Sequence, residues 1–223
     1  MNTLLRLTVI FAASFAVQAQ AQSTFVESIK AGDQARADKD YDDAIAAFEA
    51  AERLAGSPTD IAIARGKRAH LYAYALKDYE SARAEAAAAL EIEEAHAVAR
   101  VTALQVMAKV FMTADQDHSG ATPLLEEGVD LEGVDWAQPS LHLMLGDCYR
   151  ATGSHEDALA AYDAVLYLPN ANDGVKAVAH LNTGMTQQYN LRDRDAARAA
   201  YAKAVELNPG FEQAVANHLS NMN

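Results

Sequence analysis

Four times along this chain an alanine is followed, four residues later, by an aromatic or a second small residue: Ala44 and Phe48, Ala82 and Ala86, Ala158 and Tyr162, Ala197 and Tyr201. The leading alanines advance by 38 and 39 residues, with one double step of 76 between Ala82 and Ala158. Residues four apart share one face of a helix, and a fixed advance marks a repeated unit. The double step calls for a further copy, and Ala121-Thr-Pro-Leu-Leu125-Glu-Glu-Gly128 fits it. Such a chain folds by stacking. One helical hairpin cannot bury its own apolar face, so about three or more must pack together.

Aromatic residues make up only 7% of a sequence that is 51% hydrophobic. Burial therefore comes from close approach of helices rather than from a few bulky anchors. Gly32 and Gly146 permit that approach, as do Ala44, Ala158 and Ala204, while Phe48, Tyr149, Tyr162 and Tyr201 fill the gaps so created. Gly153 and the pairs Lys39-Asp40, Lys77-Asp78 and Arg192-Asp193 mark the turns. Pro209 stops a helix, because it lacks the N–H and clashes with the preceding turn.

The fullest copy reads Leu141-His-Leu-Met-Leu-Gly146-Asp-Cys-Tyr149, then Gly153, then Ala158-Leu-Ala-Ala-Tyr162, ending at Pro169. It resembles the tetratricopeptide repeat, with Leu-Gly-x-x-Tyr on a first helix and Ala-x-x-x-Tyr on a second. The resemblance implies an all-α fold, a right-handed α-solenoid of antiparallel helical hairpins. Five hairpins are placed at 25–58, 62–96, 97–134, 139–172 and 176–209, with a capping helix over 211–221. The third departs furthest from the pattern. Residues 22–223 form one repeat domain on this reading.

Residues 1–21 stand apart. Arg6 precedes an apolar run from Leu7 to Val17, and Ala19-Gln20-Ala21 has the small-x-small form of a signal-peptidase site. The run is shorter than the roughly 20 residues of a permanent span, and no second apolar stretch reaches that length. The expectation is a cleaved signal peptide and a soluble protein that is exported, periplasmic or secreted, with no stable membrane anchor. The single cysteine, Cys148, can form no intramolecular disulfide and lies too far along to carry a lipid, so it is read as a packing residue.

The formal charge of −13 argues against a nucleic-acid partner and against docking on an anionic membrane, and leaves basic protein segments open. The seven histidines form no His-x-x-x-His pair, and His70, His142 and His180 read as packed or groove-lining side chains of first helices. Phosphate loops, nucleophile elbows and paired-cysteine motifs are absent, so no enzymatic activity and no cofactor are expected. One local pattern remains. Asp115, Asp117 and Ser119, a glycine at 120 and Glu126 match the spacing of a calcium-binding loop between two helices. The alternative is an enlarged acidic turn.

In the family that this chain resembles, ligands occupy the concave groove lined by first helices. That resemblance implies a protein or peptide partner, held by a lining drawn from Asp33, Lys67, Leu71, Leu143, Asp147, Arg150 and Asn182. Family members that clamp C-terminal carboxylates carry lysine and asparagine where this chain has Ile29 and Asp33, so that clamp is not expected. The leading expectation is an exported scaffold or adaptor. A calcium-responsive sensor built on 115–126 is the alternative, and self-association through an array end is a further expectation.

Overall fold

The computed structural model describes Gln22 and residues 24–222, so the expected signal peptide lies outside the described residues. Every regular element among them is helical. A first helix, α1, spans 24–38. It is followed by α2 (Tyr41–Arg53), α3 (Pro58–His70), α4 (Tyr79–Leu90), α5 (Ala97–Val110) and α6 (His118–Asp130). Then come α7 (Gln138–Thr152), α8 (His155–Tyr167), α9 (Asp173–Met185), α10 (Arg194–Leu207) and α11 (Glu212–Ser220). The chain divides into two compact units, one ending at Val110 and one beginning at Phe111. The division falls inside the third hairpin, the copy whose sequence strays furthest from the repeat.

The turns inside the hairpins share one construction. A residue in the left-handed region, Lys39, Lys77, Gln116, Arg192 or Gly153, ends the first helix. The next residue starts the second. Asp78, Asp117 and Asp193 each accept a side-chain hydrogen bond from the backbone N–H three residues on, the N-cap arrangement. The tight form closes over five residues, from Asp40 N to Ala35 O and from Ser154 N to Tyr149 O, both 2.8 Å. The other three close over six, at Asp78 N to Tyr72 O, Asp117 N to Phe111 O and Asp193 N to Gln187 O. There the first helix widens into π-helical turns at Leu71–Leu76, Phe111–Asp115 and Thr186–Leu191. A π turn absorbs one inserted residue without breaking the helix.

In the first unit, Phe48 of α2 is fully buried against Ala44 and Leu71. Its ring lies over Gly32, where a Cβ would collide with it. Farther along, alanines replace the ring: Ala69 and Ala73 of the α3 segment meet Ala82, Ala86 and Ala89 of α4 and Ala103, Val106 and Val110 of α5. The helix Ala97–Asp115 is long and apolar enough to cross a membrane by length and composition, contrary to the expectation that no second stretch would be. Its apolar character has another explanation in the fold, since Ala99, Val101, Ala103, Leu104, Val106, Ala108 and Val110 are all buried.

The second unit repeats the glycine–ring pairing twice, with Gly146 of α7 under Tyr162 of α8 and Gly184 of α9 under Tyr201 of α10. Tyr162 sits among Ala158, Val165, Ala171 and Ala179, and Tyr201 among Ala197, Val215 and Met222. The last helix, α11, thus covers the apolar face of α10. Residues 118–130 are helical, so 115–126 does not form the twelve-residue loop considered above. Physically, Asp117 starts a helix with its carboxylate committed to the Gly120 N–H at 2.8 Å.

Candidate functional site

Each unit carries the sequence Gly-Asp-x-x-Arg on a first helix: Gly32-Asp33 with Arg36, and Gly146-Asp147 with Arg150. In both copies the glycine lies under the ring of the second helix, which turns the following aspartate toward the next first helix. Asp33 pairs with Arg36 at 3.4 Å and receives Lys67 Nζ at 2.9 and 2.7 Å on its two oxygens. Asp147 pairs with Arg150 at 3.5 Å and accepts from Asn182 Nδ2 at 3.2 Å. Lys67 lies 34 residues beyond Asp33, and Asn182 35 beyond Asp147. These are equivalent lateral bonds between successive first helices, one in each unit.

The two sites differ where the ring differs. Phe48 brings no polar atom, and the oxygens of Asp33 are met by cations instead. Tyr162 brings a hydroxyl that donates to Asp147 Oδ1 at 2.7 Å. Burial, and then the charge of Asp147, pushes the Tyr162 phenol well above its ordinary range. Arg150 Nε is buried and has no hydrogen-bond partner among the described residues. The same environment protects the thiol of Cys148, which burial and the charge of Asp147 push up to about 12. A protonated, buried thiol is a packing group, in keeping with its small size.

Beside Asp33, Arg36 Nη1 lies 3.5 Å from His70 Nδ1. The His70 ring stacks on Tyr74 with centroids 4.4 Å apart, and Lys109 Nζ stands 6.0 Å from the Tyr74 centroid. Burial, then the positive charges of Arg36 and Lys67, draws His70 down from 6.5 to about 4. It is a neutral imidazole at physiological pH. Burial alone raises Tyr74 to about 12. Asp33, Arg36, Lys67, His70 and Tyr74 therefore form one polar strip along α1, α3 and the π turn that follows it.

The structure brings Asp147, Arg150 and Asn182 together as a single cluster and places Lys67 in the corresponding cluster of the first unit. Leu143 is half-buried against the Tyr162 core. Leu71 is different. It is fully buried against Ala44 and Phe48, so it belongs to the core and not to a groove lining. The same position in the later first helices, Cys148 of α7 and Thr186 just past α9, is also fully buried, so this side of a first helix packs inward rather than lining a groove. Asp115, Asp117, Ser119 and Glu126 do not converge, since Glu126 is on α6 accepting from Tyr149 Oη at 2.7 Å. Among the described residues no three His, Cys, Asp or Glu side chains are grouped as metal ligands. Sequence reading missed Tyr162 as the partner of Asp147, and missed the duplicated Gly-Asp-x-x-Arg that signals both sites.

The opposite side of α3 has a structural network. Arg68, about 5% exposed, donates to Glu52 of α2 at 2.6 Å and to Glu85 of α4 at 3.0 and 2.9 Å. Arg65 donates to Glu52 at 2.9 Å. A cavity of about 490 Å³ beside it is lined by Glu49, Glu52, Arg53, Ile61, Arg68 and Glu85.

Comparison with known proteins agrees with this geometry. The tetratricopeptide repeat model matches residues 139–172 and 177–211, the α7–α8 and α9–α10 hairpins. No curated protein matches the chain. Among solved structures, MamA aligns with TM-score 0.61 at 19% identity, covering 86% of this chain and 96% of its own. YrrB, described as "a TPR protein with an unusual peptide-binding site", aligns with TM-score 0.60 at 20% identity, covering 88% and 97%. The MamA RS-1 ArsTM double mutant gives TM-score 0.63 at 17% identity, covering 85% and 97%. The α7–α8 and α9–α10 hairpins thus match the tetratricopeptide repeat, and the chain shares with these solved structures an all-α fold of successive helical hairpins.

Proposed function

We propose that this protein is an exported scaffold that binds protein segments along the first-helix faces of its repeats. The observation that carries the reading is the paired aspartate sites. Asp33 and Asp147 are held by neighbouring helices yet remain about one-third exposed, at 33% and 35%. A carboxylate positioned by a rigid helix pair, with an arginine three residues on, offers an acceptor and a donor to an extended backbone. The fold shared with YrrB, a protein described with a peptide-binding site, supports the same reading. Export is supported by Arg6, the apolar run from Leu7 to Val17 and Ala19-Gln20-Ala21. Sequencing the mature N-terminus tests it, and a chain starting at Gln22 is the expected result.

The binding claim is tested by placing a photo-crosslinking amino acid at Leu143, on α7, in cells that make the protein. The expected result is a discrete protein adduct whose crosslinked segment, made as a peptide, binds wild type and loses affinity with Asp147→Asn. Adducts that form equally on the Asp147→Asn background, or a metabolite as the only ligand found, would count against it.

A further inference from the structure

The two most exposed large apolar side chains among the described residues are Tyr167, at 80%, and Trp136, at 55%. Both stand at the same end of the α7–α8 hairpin. Trp136 lies in the short 3-10 turn that leads into α7, and Tyr167 closes α8. The edge is stiff. Val134 and Ala137, on either side of Trp136, are fully buried. Asn170 Nδ2 donates to Asp135 O, and Gln138 Nε2 donates to Val129 O at 3.0 Å. Aromatic rings on a fixed backbone are costly to leave in water, and they serve as anchors when a partner covers them.

The charge of this part of the sequence points to the kind of partner. Residues 110–175 contain twelve Asp and Glu and a single Lys or Arg, Arg150, which is engaged with Asp147. That stretch therefore accounts for −11 of the chain's −13. Asp130, Glu132 and Asp135 shortly precede Trp136, Asp163 and Asp173 flank Tyr167 in sequence, and all five are exposed, while Lys176 is half-buried. Asp163 lies one helical turn before Tyr167, on the same face. Aromatic faces beside carboxylates favour guanidinium and ammonium groups, which stack on the ring while pairing with the acid.

We infer that this edge of the second unit, built on Trp136 and Tyr167, docks an arginine- or lysine-rich segment of another protein. The surface is separate from the first-helix faces and does not depend on them. Trp136 is the only tryptophan, so its fluorescence reports on the site directly. The test titrates the full-length mature protein with octa-arginine at about 150 mM salt, where loosely held surface charge is largely screened, with octa-glutamate as control. A saturable change in Trp136 fluorescence is expected with octa-arginine alone. By anisotropy of labelled octa-arginine, Trp136→Ala and Tyr167→Ala should each weaken binding by about fivefold to tenfold. Glu80→Gln, an exposed acid of the other unit, should leave it unchanged. Both aromatic side chains are exposed, so their removal should leave the helical circular dichroism intact. Equal affinity in the Trp136→Ala/Tyr167→Ala double variant would overturn the inference, because charge alone would then explain the binding. So would an unresponsive Trp136, or a dimer by sedimentation that Trp136→Ala abolishes while octa-arginine fails to bind.

Discussion

Asp33 on α1 and Asp147 on α7 occupy equivalent places in the two units. Each follows a glycine that lies under an aromatic ring, each pairs with an arginine three residues on, and each bonds a side chain 34 or 35 residues further along. The shared geometry makes their differences informative. Lysine answers Asp33 with charge, whereas tyrosine and asparagine answer Asp147 with neutral hydrogen bonds. Removing Asp147 strands the hydroxyl of the fully buried Tyr162, at about 1–3 kcal/mol, whereas Lys67, about one-third exposed, returns to water at a cost below about 1 kcal/mol. Asp147→Ala is therefore expected to cost about 2 kcal/mol in denaturant unfolding, and Asp33→Ala less than half of that.

The glycine–ring pairs make a second, sharper comparison. At Gly146 and Gly184 a Cβ would collide with the rings of Tyr162 and Tyr201, and at Gly32 with Phe48. At Gly66 the nearest atoms would be Thr102 Cγ2 at 3.5 Å and Cβ at 3.7 Å, an ordinary contact. Overpacking costs about 1–3 kcal/mol, and alanine is about 1 kcal/mol better than glycine inside a helix. Gly146→Ala should lower the melting temperature by several degrees, and Gly66→Ala should hold or raise it.

Acid should weaken the first unit in a defined window. Folded His70 titrates near 4 rather than 6.5, so between those values the unfolded chain binds the extra proton. Stability is then present above pH 6.5, falls as pH drops toward 4, and has lost on the order of 2–3 kcal/mol there. Glu52 adds to the loss at lower pH. Burial tends to raise its pKa, but Arg68 and Arg65 hold it below 4.5, so its stabilising charge disappears as pH falls through that lowered value. His70→Gln should flatten the unfolding free energy between pH 6.5 and 4, with the part owed to His142 and His180 remaining.

The N-cap reading of Asp117 separates the helix from a calcium loop. Asp117→Ala removes the bond to Gly120 N and should cost about 1 kcal/mol. Millimolar calcium should leave the melting temperature of wild type and variant unmoved. A calcium-dependent rise that Asp117→Ala abolishes would contradict the helical assignment.

Much of the fold was legible because helix packing writes itself at fixed spacings. Ala158 and Tyr162, and Ala197 and Tyr201, mark buried second-helix faces that are fully buried in the fold. Asp147, Arg150 and Asn182 were singled out only as separate first-helix positions; that they meet in one cluster comes from the fold, where first-helix positions one repeat apart face each other. The π turns were not legible. An inserted residue widens the turn without leaving a sequence mark. Leu71 was misplaced for another reason: it stands two residues after Ala69 as Cys148 does after Gly146, and both face the core. The stretch 115–126 failed differently, because Asp117, Ser119 and Gly120 suit a helix N-terminus as well as a metal loop, and spacing alone does not separate the two. Trp136 and Tyr167 carry no repeat signal, since one stands in the turn before α7 and the other at the exposed close of α8.

The central claim, that the first-helix faces bind a protein segment, is tested most directly by hydrogen exchange on the complex with the segment recovered by crosslinking from Leu143. Protection is predicted in α7 and α9 around Asp147 and Asn182, and it should be lost with Asp147→Asn. Protection confined to the second helices α8 and α10, or none above the free protein, would contradict the account.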